Sequence, residues 1–397
     1  MRRYDIDALR VIAFGLLIFV HIGNFFDSKE WLIKNSVTYD WIDYPQWFFS
    51  QWRLSLLFVI SGMGTFFNIS KKKGWEFAKE RFKRLFIPLV IGMLFIVPPM
   101  VYIQRLDAGQ FIGNYFEFWP LNAFKGAYPQ GNFSWHHLWF LPYLLLFSFV
   151  LTPVFLYLRN HQQAWIIRKI KSLTSYKFGL FVLVIPLIFW ELILNPRFPA
   201  THALVNDWYL LVNYCTLFFY GFLLMTLKNI FWENLIKNRK LYLIIGIVVF
   251  VFQMYMWLGM NPFPHFGDVW LVTMAVYEWA MILALIGYAA TYFNKPSRIL
   301  SYTNEAVYPF YILHLTIIVV LGYYLKNVEM CLFIKFSIMV IGTFGISWLI
   351  YEFGIRRYAW IRPLFGMKRK GSRVTKKGAR LYKNTSQSPI STASLPL

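Results

Sequence analysis

An all-α, polytopic membrane helix bundle of about ten transmembrane helices is the fold class this sequence predicts, and three observations predict it. Of 397 residues, 58% are hydrophobic and only 15% charged, more apolar than the roughly 45–50% of soluble domains. The charges are segregated: residues 241–259 carry none, while Lys71, Lys72 and Lys73 sit together. The basic residues also collect in every second loop, the asymmetry that a bilayer imposes.

The first apolar run, 8–26, follows Arg2 and Arg3. No small-residue cleavage site follows His21-Ile22-Gly23-Asn24, so it is expected to remain as a helix and not to be removed as a signal peptide. Further runs at 48–69, 85–102, 137–158, 178–194, 208–227, 241–260, 269–292, 306–325 and 330–353 approach or exceed the ~20 residues that a spanning helix needs. Loops after the even-numbered runs hold Lys71–Lys73, Arg81, Lys83 and Arg84, then Arg159, Arg168 and Lys169, then Lys237 and Arg239, then Lys295 and Arg298. Loops on the other side mix fewer cations with Asp27, Glu30, Asp107, Asp207 and Asp268. Both termini are therefore expected in the cytoplasm.

Two loops on the outer side, 27–47 and 103–136, are rich in Trp, Tyr, Phe, Asn and Pro. That composition suits an interfacial lid or sugar-stacking surface, and equally an aromatic belt. Residues 1–362 are expected to form the membrane domain. Residues 363–397 turn basic and then Ser/Thr-rich, as in a disordered cytoplasmic tail that touches anionic lipid.

The composition also excludes partners. The net charge of +22 lies between hydrophobic segments and in the tail, not on an interleaved basic and aromatic surface, so no nucleic acid is expected. Cys215 and Cys331 lie in apolar segments and read as small hydrophobes, so neither a metal nor a tightly bound cofactor is expected. No internal repeat of the inverted-transporter kind is present.

Ionisable side chains inside a span are costly and usually face the bundle interior. Arg10 and His21 are eleven residues apart, almost three helical turns, which puts them on one face roughly 16 Å apart along the axis. The spacing predicts an inward polar stripe with Arg10 toward the cytoplasm and His21 toward the outside. A His there can take a proton from a hydroxyl, or simply bond a neighbouring helix. Arg10 can hold a donor's phosphate or carbonyl, or snorkel to lipid phosphate. Arg53 is expected at the depth of His21. His137 and Trp139 open the fourth helix at the outer surface. Glu278 lies mid-helix, and His314 and Glu352 fall by topology in the cytoplasmic half.

At these residues the chain resembles the acyltransferase-3 family of integral membrane O-acyltransferases. Asp7-Ala8-Leu9-Arg10-Val11-Ile12-Ala13 with His21 is similar to that family's opening Arg, ten residues, His. Phe58-Val59-Ile60-Ser61-Gly62 resembles its second-helix segment, and Arg81-Phe82-Lys83-Arg84 its cytoplasmic Arg-x-x-Arg before Pro88. His137-Leu138-Trp139-Phe140-Leu141 and Pro309-Phe310-Tyr311-Ile312-Leu313-His314 are similar to later segments. Their order, over about residues 5–360, carries the resemblance more than any one motif. The region Trp52–Gly62 together with His136–Leu141 looks most like the branch that adds succinyl groups to periplasmic glucans. The fused soluble hydrolase domain of longer members is not expected here.

The resemblance implies transfer of an acetyl, succinyl or similar group from a cytoplasmic acyl-CoA co-substrate to a hydroxyl of a sugar, glycan or lipid-linked saccharide. It implies a multi-pass protein of a bacterial cytoplasmic (inner) membrane. His21 and Arg10 take the catalytic roles, Arg81, Arg84 and Ser61 the donor-binding ones, and Arg53, His137 and Trp139 the substrate-binding ones. Direct attack and a covalent acyl-histidine are both open. The competing reading from another class is a transporter or flippase for an anionic or sugar substrate, its path lined by Arg10, His21, Arg53, Glu278 and His314.

Overall fold

The computed structural model of the chain describes residues 3–70, 72–259 and 266–369. Thirteen α-helices follow one another, with no strand among the described residues. They are α1 (Tyr4–Gly23), α2 (Asp43–Ile69), α3 (Gly74–Ile91), α4 (Val97–Asp107), α5 (Tyr115–Leu121), α6 (Phe140–Asn160) and α7 (Trp165–Thr174). Then come α8 (Val184–Ile193), α9 (Trp208–Thr226), α10 (Asn229–Trp257), α11 (Phe266–Tyr292), α12 (Arg298–Leu325) and α13 (Leu332–Leu349).

Nine helical segments among the described residues are long and apolar enough to cross a membrane, and the protein is a multi-pass helical bundle. The expected span at 178–194 is present as a shorter apolar helix, Gly179–Ile193. It starts at Gly179, where a side chain would collide with the Leu173 carbonyl, and Asn195-Pro196 follows its end. The expected third span is longer than its apolar run: α3 and α4 join through a π turn, Gly92–Ile96, into one segment, Gly74–Asp107. Pro98 and Pro99 supply no N–H at that junction, and the Ile96 carbonyl accepts the Thr316 hydroxyl of α12 at 2.6 Å.

Two thirds of the most apolar windows of α2 and α9 are buried, against 22% for α10 and α13, so α2 and α9 form the interior and the other two present lipid-facing surface. The tightest approach is between α2 and α9. A Cβ on Gly62 would overlap the Phe218 carbonyl, and one on Gly221 the Val59 carbonyl. Small residues allow the two backbones to touch where no hydrophobic force drives helix association in lipid. α1 lies against α2, α11 and α12, which places its polar residues inside.

The long loops gather at the end of the bundle that bears His21. Loop 27–42 folds onto the end of α1 through Asn35 N–H to the Phe25 carbonyl (2.9 Å) and Tyr39 N–H to the Phe26 carbonyl (2.9 Å). Arg105 ties the second loop together, donating to Asn132 Oδ1 (2.8 Å) and to the Pro129 and Gly131 carbonyls (2.6 and 2.7 Å). At the opposite, basic end, residues 363–369, expected in the tail, fold back against α3 and α12. Phe365 and Met367 are buried there, and Arg362 holds the Lys368 carbonyl at 2.7 Å and pairs with Glu305. The rest of the expected tail, 370–397, lies outside the described residues.

Candidate active site

Three histidines from distant parts of the chain converge at one end of the bundle. His21 is in the last turn of α1, and its Nδ1 lies 2.9 Å from Nε2 of His314 on α12. His137, in the 3-10 turn His136–Trp139 before α6, sets its ring edge-on to His314 at 5.2 Å. Its Nε2 donates to the Ile312 carbonyl (3.0 Å), and the Tyr311 hydroxyl donates to the His137 carbonyl (2.7 Å). His137 Nδ1 is buried with no hydrogen-bond partner among the described residues.

The expected level of His314 is thus corrected. Charge topology put it in the half opposite His21, yet sixteen residues from Arg298 at the start of α12 carry it ~24 Å along the axis, past the helix midpoint. Apolar residues on either side gave no hint of depth.

His21 and His137 floor a cavity of about 550 Å³, with His314 buried behind them. Three loops and the end of α4 wall it: Trp31 from the first loop, Gln104 from α4, Trp135 from the second loop, and His202 from a third, between α8 and α9. Trp139 packs its indole against the His202 ring at 4.3 Å. His137 and Trp139, expected together at the outer end of the fourth helix, both line this cavity.

The third loop gave no signal in the sequence beyond a His and an Asp in a polar stretch. Asp207 organises it, accepting the Thr201 and His202 N–H groups (3.3 and 2.9 Å) and the Tyr143 hydroxyl. His202 sits in the left-handed region, φ 57°, and its carbonyl accepts the Trp135 indole N–H at 2.9 Å. Burial pushes the His202 imidazole below its ordinary pKa, against the pull of Asp207.

Arg53 of α2 is 4% exposed, and its charge bears on His21, His314 and Tyr214. Neither its Nε nor its Nη1 has a hydrogen-bond partner among the described residues. A guanidinium is always charged and offers five donors, so Arg53 keeps donors unspent in the interior near His21 and His314. Glu278 belongs to a separate cluster, where it accepts from the Ser55 hydroxyl. Glu352 is accounted for by Arg356 (2.9 Å) and the Tyr302 hydroxyl (2.8 Å) at the basic end.

Arg10 does not share the cavity's lining. Its Nη1 approaches Asp7 Oδ1 (3.3 Å) and Asn304 Oδ1 (3.2 Å). Phe14 and Leu17, on the face between Arg10 and His21, are buried, with Phe14 edge-on to Tyr311 at 5.3 Å. The expected stripe is therefore two polar ends separated by an apolar middle.

Arg81 and Arg84 part company. Arg81 turns inward and donates from Nη2 to Thr65 Oγ1 at 2.5 Å; Thr65 in turn donates to the Ser61 carbonyl at 2.8 Å. Arg84 lines an open cavity of about 650 Å³ at the basic end with Lys79, Lys83, Lys368 and Arg369. Ser61 accepts the Thr65 hydroxyl through its backbone carbonyl, one residue before the Gly62 crossing.

Comparisons with known proteins agree with this architecture. A family model described as an acyltransferase domain matches residues 3–352. Among curated proteins, the chain is similar to glucans biosynthesis protein C of Salmonella schwarzengrund (strain CVM19633), with 23% identity over 370 residues, 89% of this chain and 92% of the relative. The protein of the same name from Salmonella typhimurium (strain LT2) is 22% identical over 367 residues, again 89% and 92% of the two chains. No solved structure matches.

Proposed function

Since the chain belongs to that acyltransferase family, and is a membrane acyltransferase, we propose that it moves an acyl group from a cytoplasmic coenzyme A thioester to a sugar or glycan hydroxyl at the outer face. The membrane would be the cytoplasmic membrane of a bacterium, with both termini inside. A glucan acceptor is favoured by the name of the relatives and by the indoles of Trp31, Trp135 and Trp139 around the cavity, since aromatic faces and polar edges suit sugar rings.

The observation that carries the proposal is the placement of His21. Its Nδ1 is engaged by His314, while Nε2 is neither occluded nor bonded among the described residues, and the residue lines the cavity. In the reaction, the acceptor O–H gives its proton to His21 Nε2 as the oxygen attacks the thioester carbonyl. The C–O bond forms, the C–S bond breaks, and the sulfur leaves with the bonding pair and takes the proton back from Nε2. Acceptor ester and free coenzyme A balance the step.

The donor's phosphates would rest in the basic cavity with Arg84, Lys79, Lys83, Lys368 and Arg369. Arg10 and Arg81, with the Ser61–Thr65 face of α2, would line the entry of its acyl arm. That arm reaches His21 by parting Phe14 and Leu17. Arg53 would then hold the acyl group, and its unspent donors favour a succinyl-type group with a distal carboxylate. His137 and Trp139 would bind the acceptor.

The test is transfer of label from acyl-CoA to glycans in membranes carrying the parent or His21→Ala. Labelled ester with the parent and none with the variant is expected. Movement of a sugar or anion across the membrane with no ester formed would return the protein to the transporter class.

A further inference from the structure

We infer that His314 is a positioning residue that locks the His21 imidazole in the one tautomer able to act as a base toward the cavity. This rests on the reading of His21 as general base. His314 Nδ1 lies 2.7 Å from the Tyr311 carbonyl and 3.1 Å from the Phe310 carbonyl. Carbonyl oxygens only accept, so Nδ1 carries the proton. A neutral imidazole has one N–H, so the other nitrogen, Nε2, presents a lone pair. That lone pair faces His21 Nδ1 at 2.9 Å, which must therefore be the donor. His21 Nε2 is left as an acceptor, on the side of the ring away from His314.

Ring geometry supports the hydrogen bond itself, whose direction the α12 carbonyls set. The two ring planes are parallel to within 3°, and their centroids, 5.1 Å apart, are separated by almost the full length of a nitrogen-to-nitrogen contact of 2.9 Å plus the two ring radii. That is the arrangement of two rings joined nitrogen to nitrogen in a common plane, where an imidazole N–H and a lone pair both lie. A face-to-face stack with the same tilt would not bring Nδ1 and Nε2 to hydrogen-bonding distance along that plane.

The lock starts from the α12 backbone, through carbonyls three and four residues back, and not from a carboxylate. His314 is fully buried, so water cannot replace it as the acceptor. Loss of its imidazole would leave the His21 Nδ1–H unsatisfied. The ring would then relax toward the intrinsically commoner tautomer, with the proton on Nε2 and no base facing the acceptor. His314 itself touches no substrate, because His21 stands between it and the cavity. Its loss should reach the chemical step and spare binding.

The experiment compares parent, His21→Ala, His314→Leu, His314→Gln and the double variant His21→Ala/His314→Leu, purified and assayed with acyl-CoA and glucan. His314→Leu is expected to lower kcat by ~10²-fold, within the ordinary range of general-base catalysis, with KM for donor and acceptor unchanged. His314→Gln, whose Oε1 can accept from His21 Nδ1, should recover most of that loss. The double variant should be no slower than His21→Ala, because the two rings act as one unit.

A folded His314→Gln as slow as His314→Leu, a double variant slower than His21→Ala, or parental kcat in His314→Leu would overturn the role of His314. A His21→Ala variant with parental rate would instead overturn the base itself. Should His314→Leu fail to fold, the glutamine variant decides: near-parental kcat supports the lock, and a collapse in kcat with sound folding refutes it.

Discussion

Replacing Arg53 by Met separates two kinds of donor. The guanidinium is 4% exposed, and its Nε and Nη1 have no hydrogen-bond partner among the described residues, so the substitution removes a buried cation whose donors are unspent. Met fills the volume of the stem with a flexible apolar chain. A carboxylate arriving on the acyl group would accept from the guanidinium in charge-assisted, planar fashion. A hydrogen bond to a charged group is worth about 1.5–3 kcal/mol, which converts to a roughly 10- to 150-fold loss of kcat/KM with a succinyl donor. An acetyl donor has no distal carboxylate and should lose far less. Thermal stability should hold or rise, since no bond from Nε or Nη1 is broken and an unpaired buried charge is removed. The assay is kcat/KM with succinyl-CoA and acetyl-CoA side by side. Equal losses with both donors, or none with either, would refute the reasoning.

Three further outcomes follow from the packing and the loops. Gly62→Ala drives a methyl into the Phe218 carbonyl and should cost about 1–3 kcal/mol by overpacking, seen as earlier thermal unfolding in detergent; an unchanged midpoint would contradict the close α2–α9 crossing. Asp207→Ala strips the acceptor from Tyr143, Thr201 and His202 and should raise the acceptor KM by ~10-fold through loop loosening, leaving the donor KM in place. Arg84→Ala combined with Lys368→Ala should raise the donor KM and flatten its dependence on salt, because both charges line one open cavity; a rise in acceptor KM alone would refute that docking site.

The fold was legible because a bilayer writes itself into sequence: among the described residues, the apolar runs correspond to nine segments long and apolar enough to span and one short helix. Ends were less legible. The run at 178–194 hides a packing constraint at Gly179 that only the neighbouring Leu173 carbonyl reveals. His21 could be read from its place on α1, since a lone imidazole in an apolar helix needs a partner. That partner could not be read, because His314 is 293 residues away and its depth depends on where α12 begins. Arg81 and Arg84, three apart, looked like one clamp, but Thr65 draws the first inward while the second stays exposed. Periodicity put Arg10 and His21 on one face, and it could not say that Phe14 and Leu17 would fill the space between. The His202 loop was missed because its order comes from Asp207 and Trp135, through contacts that leave no periodic trace.

The central claim is that His21 ferries a proton for acyl transfer between two faces of one membrane. It is tested most directly in sealed proteoliposomes, with labelled acyl-CoA on the side of the basic loops and glucan on the other. The parent should build labelled ester on the glucan side and release free coenzyme A opposite, and His21→Gln should build neither. Ester formed at the parental rate by His21→Gln, or formed only when donor and acceptor share a compartment, would contradict the account.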